Sequence, residues 1–126
     1  MPLGRTKQTD SLELIVLAVL ADEPLYGYAI IKRVAAQSEG AMRLTPGVLY
    51  PLLHQLEKEK LITASWEAVR SDRADDDSGS EGRRRKWYQL SPAGRRRLAQ
   101  RIESHRAGVS LIERFLPQPA PEGEGA

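Results

Sequence analysis

The stretch RLTPGVLYPLLHQLEKEKLI, Arg43 to Ile62, joins a leucine stripe to an unusual beginning. Leu49, Leu52, Leu53 and Leu56 recur at i, i+3, i+4 and i+7, the spacing of a helix with one apolar face. Thr45 is a candidate N-cap, and Pro46 takes the first helical position, where a missing N–H is harmless. The opposite face then carries Gly47, Tyr50, His54 and Lys58. Pro51 has no N–H to give a helix interior, so the first turn is expected to be irregular, with regular helix from about Tyr50 onward. The back of this helix suits a core. Its front is slim and polar.

Two helices are predicted upstream. In DSLELIVLAVLADE, Asp10 or Ser11 is the candidate cap, and Leu12, Ile15, Val16, Val19 and Leu20 make a stripe. Leu14, Leu17 and Ala18 widen that stripe almost all round, so the helix must be covered on most sides, in part by a second chain. EPLYGYAIIKRVAAQSEG is the second helix, with Pro24 near its start, Gly40 just past its end, and Ile30, Ile31 and Val34 toward the core. Gly27 costs about 1 kcal/mol relative to Ala in a helix and is expected to permit a close backbone approach.

Downstream, LITASWEA alternates, with Ile62, Ala64 and Trp66 on one face, and RKWYQLS pairs Tyr88 with Leu90 in the same way. The Asp-, Ser- and Gly-rich stretch 69–82 between them is expected to be a mobile loop, giving a β-hairpin with a long tip. A long helix follows, capped by Ser91 with Pro92 at its first position. Leu98, Ile102, His105, Val109, Ile112 and Leu116 are spaced 4, 3, 4, 3, 4, a seam suited to a partner helix. His105 on that seam would face its symmetry mate, and two protonated imidazoles would repel.

The chain has 126 residues, enough for one domain, and 40% hydrophobic residues, enough for a modest core. There is no cysteine, which excludes a disulfide scaffold and a thiolate zinc site and fits the cytoplasm. No apolar run approaches the ~18 residues of a membrane helix, and the first ten residues lack the apolar centre of a signal peptide. The net charge is only +2, but it is segregated: 83–101 holds eight Arg or Lys and no acid, whereas 72–81 holds five acids and one Arg. A basic block of that kind is the footprint of a phosphate-binding surface. Arg95, Arg96 and Arg97 read as a solvated face. Two histidines, no cysteine, no phosphate loop and no Ser-His-Asp order argue against an enzyme. RADDDSG lacks the alternating ligands and closing Glu of a calcium loop, so neither metal nor cofactor is expected.

Three helices followed by a hairpin and a helix make a winged helix-turn-helix, mainly α with a small β-hairpin, plus a C-terminal dimerisation helix. Residues 1–10 are then a flexible basic arm carrying Arg5 and Lys7. Residues 11–90 are the DNA-binding domain, with a wing loop at about 68–83. Residues 91–116 are the dimerisation helix and 117–126 a disordered tail. In this class the helix after the turn enters the major groove by its N-terminal residues. The expected DNA-contacting residues are Thr45, Pro46, Gly47, Tyr50, His54, Lys58, Tyr28, Arg83, Arg84, Arg85 and Lys86. Of Tyr26 and Tyr28, one should pack and one reach phosphate. The expected dimer contacts are Leu12, Val16, Leu98, Ile102, His105, Val109, Ile112 and Leu116. The alternative is a winged-helix protein-interaction module that does not touch DNA, which the acidic wing favours.

PLYGYAIIKRV, LTPGVLYPLLHQLEKEKLI and RRRKWYQLSPAGRRRLA resemble, in order, the three signature stretches of the PadR-type transcriptional regulators. The resemblance spans about Leu12 to Leu98, and the single helix after it resembles the small subclass. It implies a homodimeric repressor on a pseudo-palindromic operator. It places Gly27 and Tyr28 on the family's Gly-Tyr pair, Thr45 to Gly47 with Tyr50 and Pro51 on the recognition motif, and Arg84, Lys86 and Tyr88 on the second wing strand. Some relatives bind flat aromatic molecules between the dimer's helices, and those that do can use a tryptophan on the last helix. Here that helix has only Phe115. Two further departures stand out. Lys60 occupies a position that is usually glycine, suited to a left-handed helix end. The wing tip is acidic at Asp75, Asp76 and Asp77, so its base, Arg83 to Lys86, is the better phosphate contact.

Overall fold

The computed structural model describes residues 7–68 and 84–118. Its elements are α1 (Lys7–Asp22), β1 (Leu25–Tyr26), α2 (Gly27–Gln37), α3 (Pro46–Lys58), β2 (Ile62–Ala68), β3 (Arg84–Leu90) and α4 (Pro92–Glu113). The strands form an antiparallel sheet in the order β1-β3-β2. Its hairpin register runs from Ile62↔Leu90 to Ala68↔Arg84. The fold is therefore a winged helix-turn-helix with a long helix appended.

The core follows the predicted stripes. Val16, Leu17 and Leu20 of α1, Ile30 and Val34 of α2, and Leu49, Leu53 and Leu56 of α3 meet Ile62, Tyr88 and Leu90 of the sheet, all buried. Each fully buried leucine contributes about 1.5–3 kcal/mol relative to exposure.

Four local expectations are corrected. α1 begins at Lys7 rather than after Asp10, so 7–10 are a first helical turn and not an arm; the Asp10 carboxylate lies 3.9 Å from Arg101 on α4. Leu25–Tyr26 are strand, not helix, because the edge of β3 supplies partners at Leu25↔Tyr88 and Tyr26↔Trp87. Pro24, with no N–H to continue a helix, leaves that extended pair in place. The start of α3 is regular: the Thr45 carbonyl accepts from the N–H groups of Val48 (3.0 Å) and Leu49 (2.8 Å), and the Thr45 side chain makes no cap bond. Trp66 shares its strand face with buried Ile62 but is 57% exposed, since the wing runs out past the core.

Lys60 holds φ 63°, so the left-handed end exists with lysine in it. The expected loop at 69–82, the acidic tip, the tail from 119 on and Arg5 lie outside the described residues.

Candidate nucleic-acid interface

The back of α3 is sealed, with Leu49 and Leu53 at 0% and Leu56 at 1% exposure. Its front is open: Thr45, Pro46, Gly47, Val48, Pro51, His54 and Lys58 are all exposed. Helical phase and the burial of the leucines therefore bring the expected α3 contacts onto one face. Pro51 cannot donate to the Gly47 carbonyl one turn back, which leaves that acceptor on the open side. The N-terminus of α3, where Thr45, Pro46 and Gly47 are exposed, carries the positive end of the helix dipole and favours an anion.

Tyr50 is 38% exposed, and its phenol end rests on Gly27, where any Cβ would overlap its hydroxyl. Gly27 thus permits a close approach by the tyrosine ring. Tyr28, next in line at the start of α2, is 60% exposed with the Lys32 ammonium 5.5 Å from its ring centre. Tyr26 is the packing member of the pair. It meets Trp87 edge-on at 5.2 Å and carries the Arg85 guanidinium over its face at 4.3 Å.

Arg85 and Lys86 of the wing do not share one face. Strand alternation sends Arg85 to the outer face of the sheet with Trp87, and Lys86 to the inner face with Tyr88. Arg85 is exposed. The Lys86 ammonium is 3.3 Å from the Glu57 carboxylate of α3 and 5.6 Å and 5.4 Å from the Trp66 and Tyr88 rings. A phosphate there competes with Glu57. Arg84 pairs through its backbone with Ala68, and Arg83 lies outside the described residues. On the outer face the Trp87 indole N–H donates to the Glu67 carboxylate. Tyr88 is 2% exposed, and its hydroxyl is held above the ordinary phenol range by burial first, then by the Glu57 carboxylate and Tyr50.

The expected dimer contacts divide. Val16 is fully buried inside its own chain and is a core residue, not an interface residue. Leu12 and Leu98 are half-buried and pack against that core, and Ile102 is half-buried. His105, Val109, Ile112 and Leu116 are exposed, as are Leu111 and Phe115.

One constellation was missed in the sequence. Glu13, 1% exposed, accepts from Arg97 at 3.2 Å and Arg101 at 3.1 Å, clamping α1 to α4. Arg97 also lies 3.8 Å from Glu59 at the end of α3. Arg97 is therefore structural rather than part of a solvated face, whereas Arg95 and Arg96 are exposed. The signal was there: Glu13 sits on the buried side of α1, in phase with Leu17 and Leu20, and a carboxylate so placed requires cations. Among the described residues no cluster of His, Asp or Glu is placed to hold a metal, and no helix is long and apolar enough to cross a membrane.

Comparison with known proteins agrees with this geometry. Residues 16–100 match the transcriptional regulator PadR-like family. A transcriptional regulator of Mycobacterium tuberculosis is 30% identical over 112 residues, covering 89% of each chain. The transcriptional regulator YqjI of Escherichia coli is 31% identical over 102 residues, 81% of this chain but 41% of its own length. Among solved structures, a PadR-like transcription factor from Bacteroides fragilis superposes with a TM-score of 0.68 at 26% identity, covering 86% of this chain and 93% of that one. The match takes in α2, α3, the hairpin and the start of α4, the segments that build the open helix front, and the chain belongs to the PadR-like family of transcriptional regulators rather than to a family of enzymes.

Proposed function

We propose that this chain is a dimeric repressor that places the front of α3 in the DNA major groove at a pseudo-palindromic operator. The observation that carries this reading is the division of α3 into a sealed leucine back and a slim open front. Thr45, Pro46, Gly47 and the edge of Tyr50 approach the bases, and His54 and Lys58 follow along the groove. Tyr28 and Arg85 neutralise or hydrogen-bond phosphates beside it, with Arg83, Arg84 and the N-terminal Arg5 and Lys7 adding charge. Lys86 takes part only by exchanging Glu57 for phosphate.

Two copies join through α4. Val109, Leu111 and Ile112 in its second half, with Phe115 and Leu116 just past its end, leave apolar side chains exposed. α1 and the end of α2 offer an open apolar groove at Ile15, Ala18, Val19, Val34 and Met42. The dimer sets two α3 helices about one DNA turn apart, roughly 34–36 Å.

Selection of bound duplexes from random DNA, followed by anisotropy titrations across salt, tests the proposal. A palindromic site should emerge, with affinity falling about 10³-fold or more between 50 and 200 mM salt if six or more phosphates are engaged. Arg85→Ala should reduce the slope of log affinity against log salt by about 2, near 0.9 for each of two subunits. A flat salt response removes the phosphate contacts. Enrichment of no duplex favours the protein-interaction module. Repeating the titration with flat aromatic compounds assigns the releasing signal: displacement identifies the effector class, and its absence removes aromatic release.

A further inference from the structure

The front of α3 is poor in the groups that usually read bases. Within Thr45 to Leu53 the polar side chains are Thr45 and Tyr50 alone, and the Tyr50 hydroxyl leans back on Gly27. Guanine is commonly read by Arg or Lys, and adenine by Asn or Gln, each as a paired hydrogen bond. Within α3 none of these occurs before Gln55, although Arg43 lies in the segment just ahead of the helix. What the first two turns do present is Val48, 46% exposed, and Pro51, also exposed, at i and i+3 and so adjacent on the helix surface. The γ-methyl of exposed Thr45 lies at the same end. A β-branched residue lowers helix propensity, and here it gains little burial in return.

Resting on the major-groove reading above, we infer that Val48, supported by the Pro51 ring, is a specificity-determining residue that reads the 5-methyl group of thymine. Thymine is the one base whose major-groove edge carries an apolar group, and an apolar side chain is its complement. Removing that methyl from a closed contact exposes the isopropyl group again and should cost roughly fourfold in affinity per site. The readout requires no donor, which matches the first two turns of the helix, where Thr45 and Tyr50 carry the only side-chain donors. The expected operator therefore has at least one thymine in each half-site opposite the N-terminal turns of α3.

The test uses the full-length protein and the operator obtained by selection, with each thymidine replaced in turn by deoxyuridine, which lacks only the methyl. Wild type should lose about fourfold at one or more positions in each half-site. Val48→Ala should bind the thymidine and deoxyuridine forms of that position within about 1.5-fold of each other, with the salt slope unchanged. Val48 is exposed, so this variant is expected to fold. Val48→Thr, which keeps a branched side chain and one methyl, should retain part of the discrimination. Tolerance of uracil everywhere, while exchange of whole base pairs still weakens binding, overturns the inference and leaves the DNA-binding reading standing. An equal uracil penalty in wild type and Val48→Ala overturns the assignment to Val48. Failure to enrich any duplex brings down the groove reading and this inference with it.

Discussion

Lys60 shows how a backbone can impose a conformation that its side chain resists. At φ 63° a Cβ crowds the backbone and glycine does not. Two hydrogen bonds hold it there: Leu61 N–H to the Leu56 carbonyl and Lys60 N–H to that of Glu57, both 2.9 Å, closing the end of α3 in a Schellman arrangement. Glu39, φ 53°, ends α2 in the same way. Lys60→Gly is therefore expected to stabilise the fold by about 1 kcal/mol, read as a higher urea midpoint at unchanged slope. A lower midpoint would mean that the lysine side chain contributes more than its strain costs.

Tyr88 makes a pH-dependent contribution at the same scale. Its folded-state pKa lies above the ordinary 10.0, so folding favours the neutral phenol. That contribution is complete below 10.0 and is lost as pH rises through the folded value. Tyr88 should ionise late in an ultraviolet absorbance titration, together with alkaline unfolding. Tyr88→Phe should abolish the late step. Ionisation of Tyr88 at the ordinary phenol value in an intact fold would refute the assignment.

Between elements, hydrogen bonds tie the end of α3 to the start of α4. The Ser91 hydroxyl donates to the Lys60 carbonyl at 2.7 Å and accepts from Gly94 N–H at 3.0 Å, and Ser91 N–H donates to the Leu61 carbonyl at 3.0 Å. A Cβ on Gly94 would overlap that same Leu61 carbonyl, a backbone group already held in place. Gly94→Ala should cost about 3 kcal/mol in denaturant unfolding. Gly27→Ala presents an equally close overlap, but with the far end of the Tyr50 side chain, which can swing away. With the gain in helix propensity, its stability should change by less than about 1 kcal/mol. Its effect should appear in DNA affinity, because Tyr50 is displaced. Equal destabilisation by the two alanines would show that Tyr50 is as immovable as backbone.

The α1–α4 clamp belongs to the same scale. A buried carboxylate held by two arginines adds little net stability over apolar packing of the same volume, because desolvation offsets attraction. It does tie the direction of α4 to α1, and through Arg97 and Glu59 to the end of α3.

For the whole molecule, the exposed apolar half of α4 is the feature that calls for a partner. Val109, Leu111 and Ile112 lie on it and Phe115 and Leu116 just past its end, with Phe115 at 80% and Ile112 at 57% exposure. A concentration of large exposed apolar side chains marks an interaction site more often than a solvated surface. Ile112→Glu should convert a dimer into a monomer in sedimentation while the unfolding of the winged domain is unchanged. A wild-type chain that sediments as a monomer at micromolar concentration would remove the dimer, and the paired half-sites with it.

The order of the helices and the hairpin and the leucine back of α3 were legible in the sequence. Each depends on periodicity or turn chemistry within a few residues, where the chain encodes its preference directly. The short strand at Leu25–Tyr26, the burial of Val16 and the lean of Tyr50 on Gly27 were decided by tertiary structure. So was the Glu13 clamp, whose partners are 84 and 88 residues away. Their free energy comes from surfaces that meet only once the chain has folded, so no local pattern could specify them.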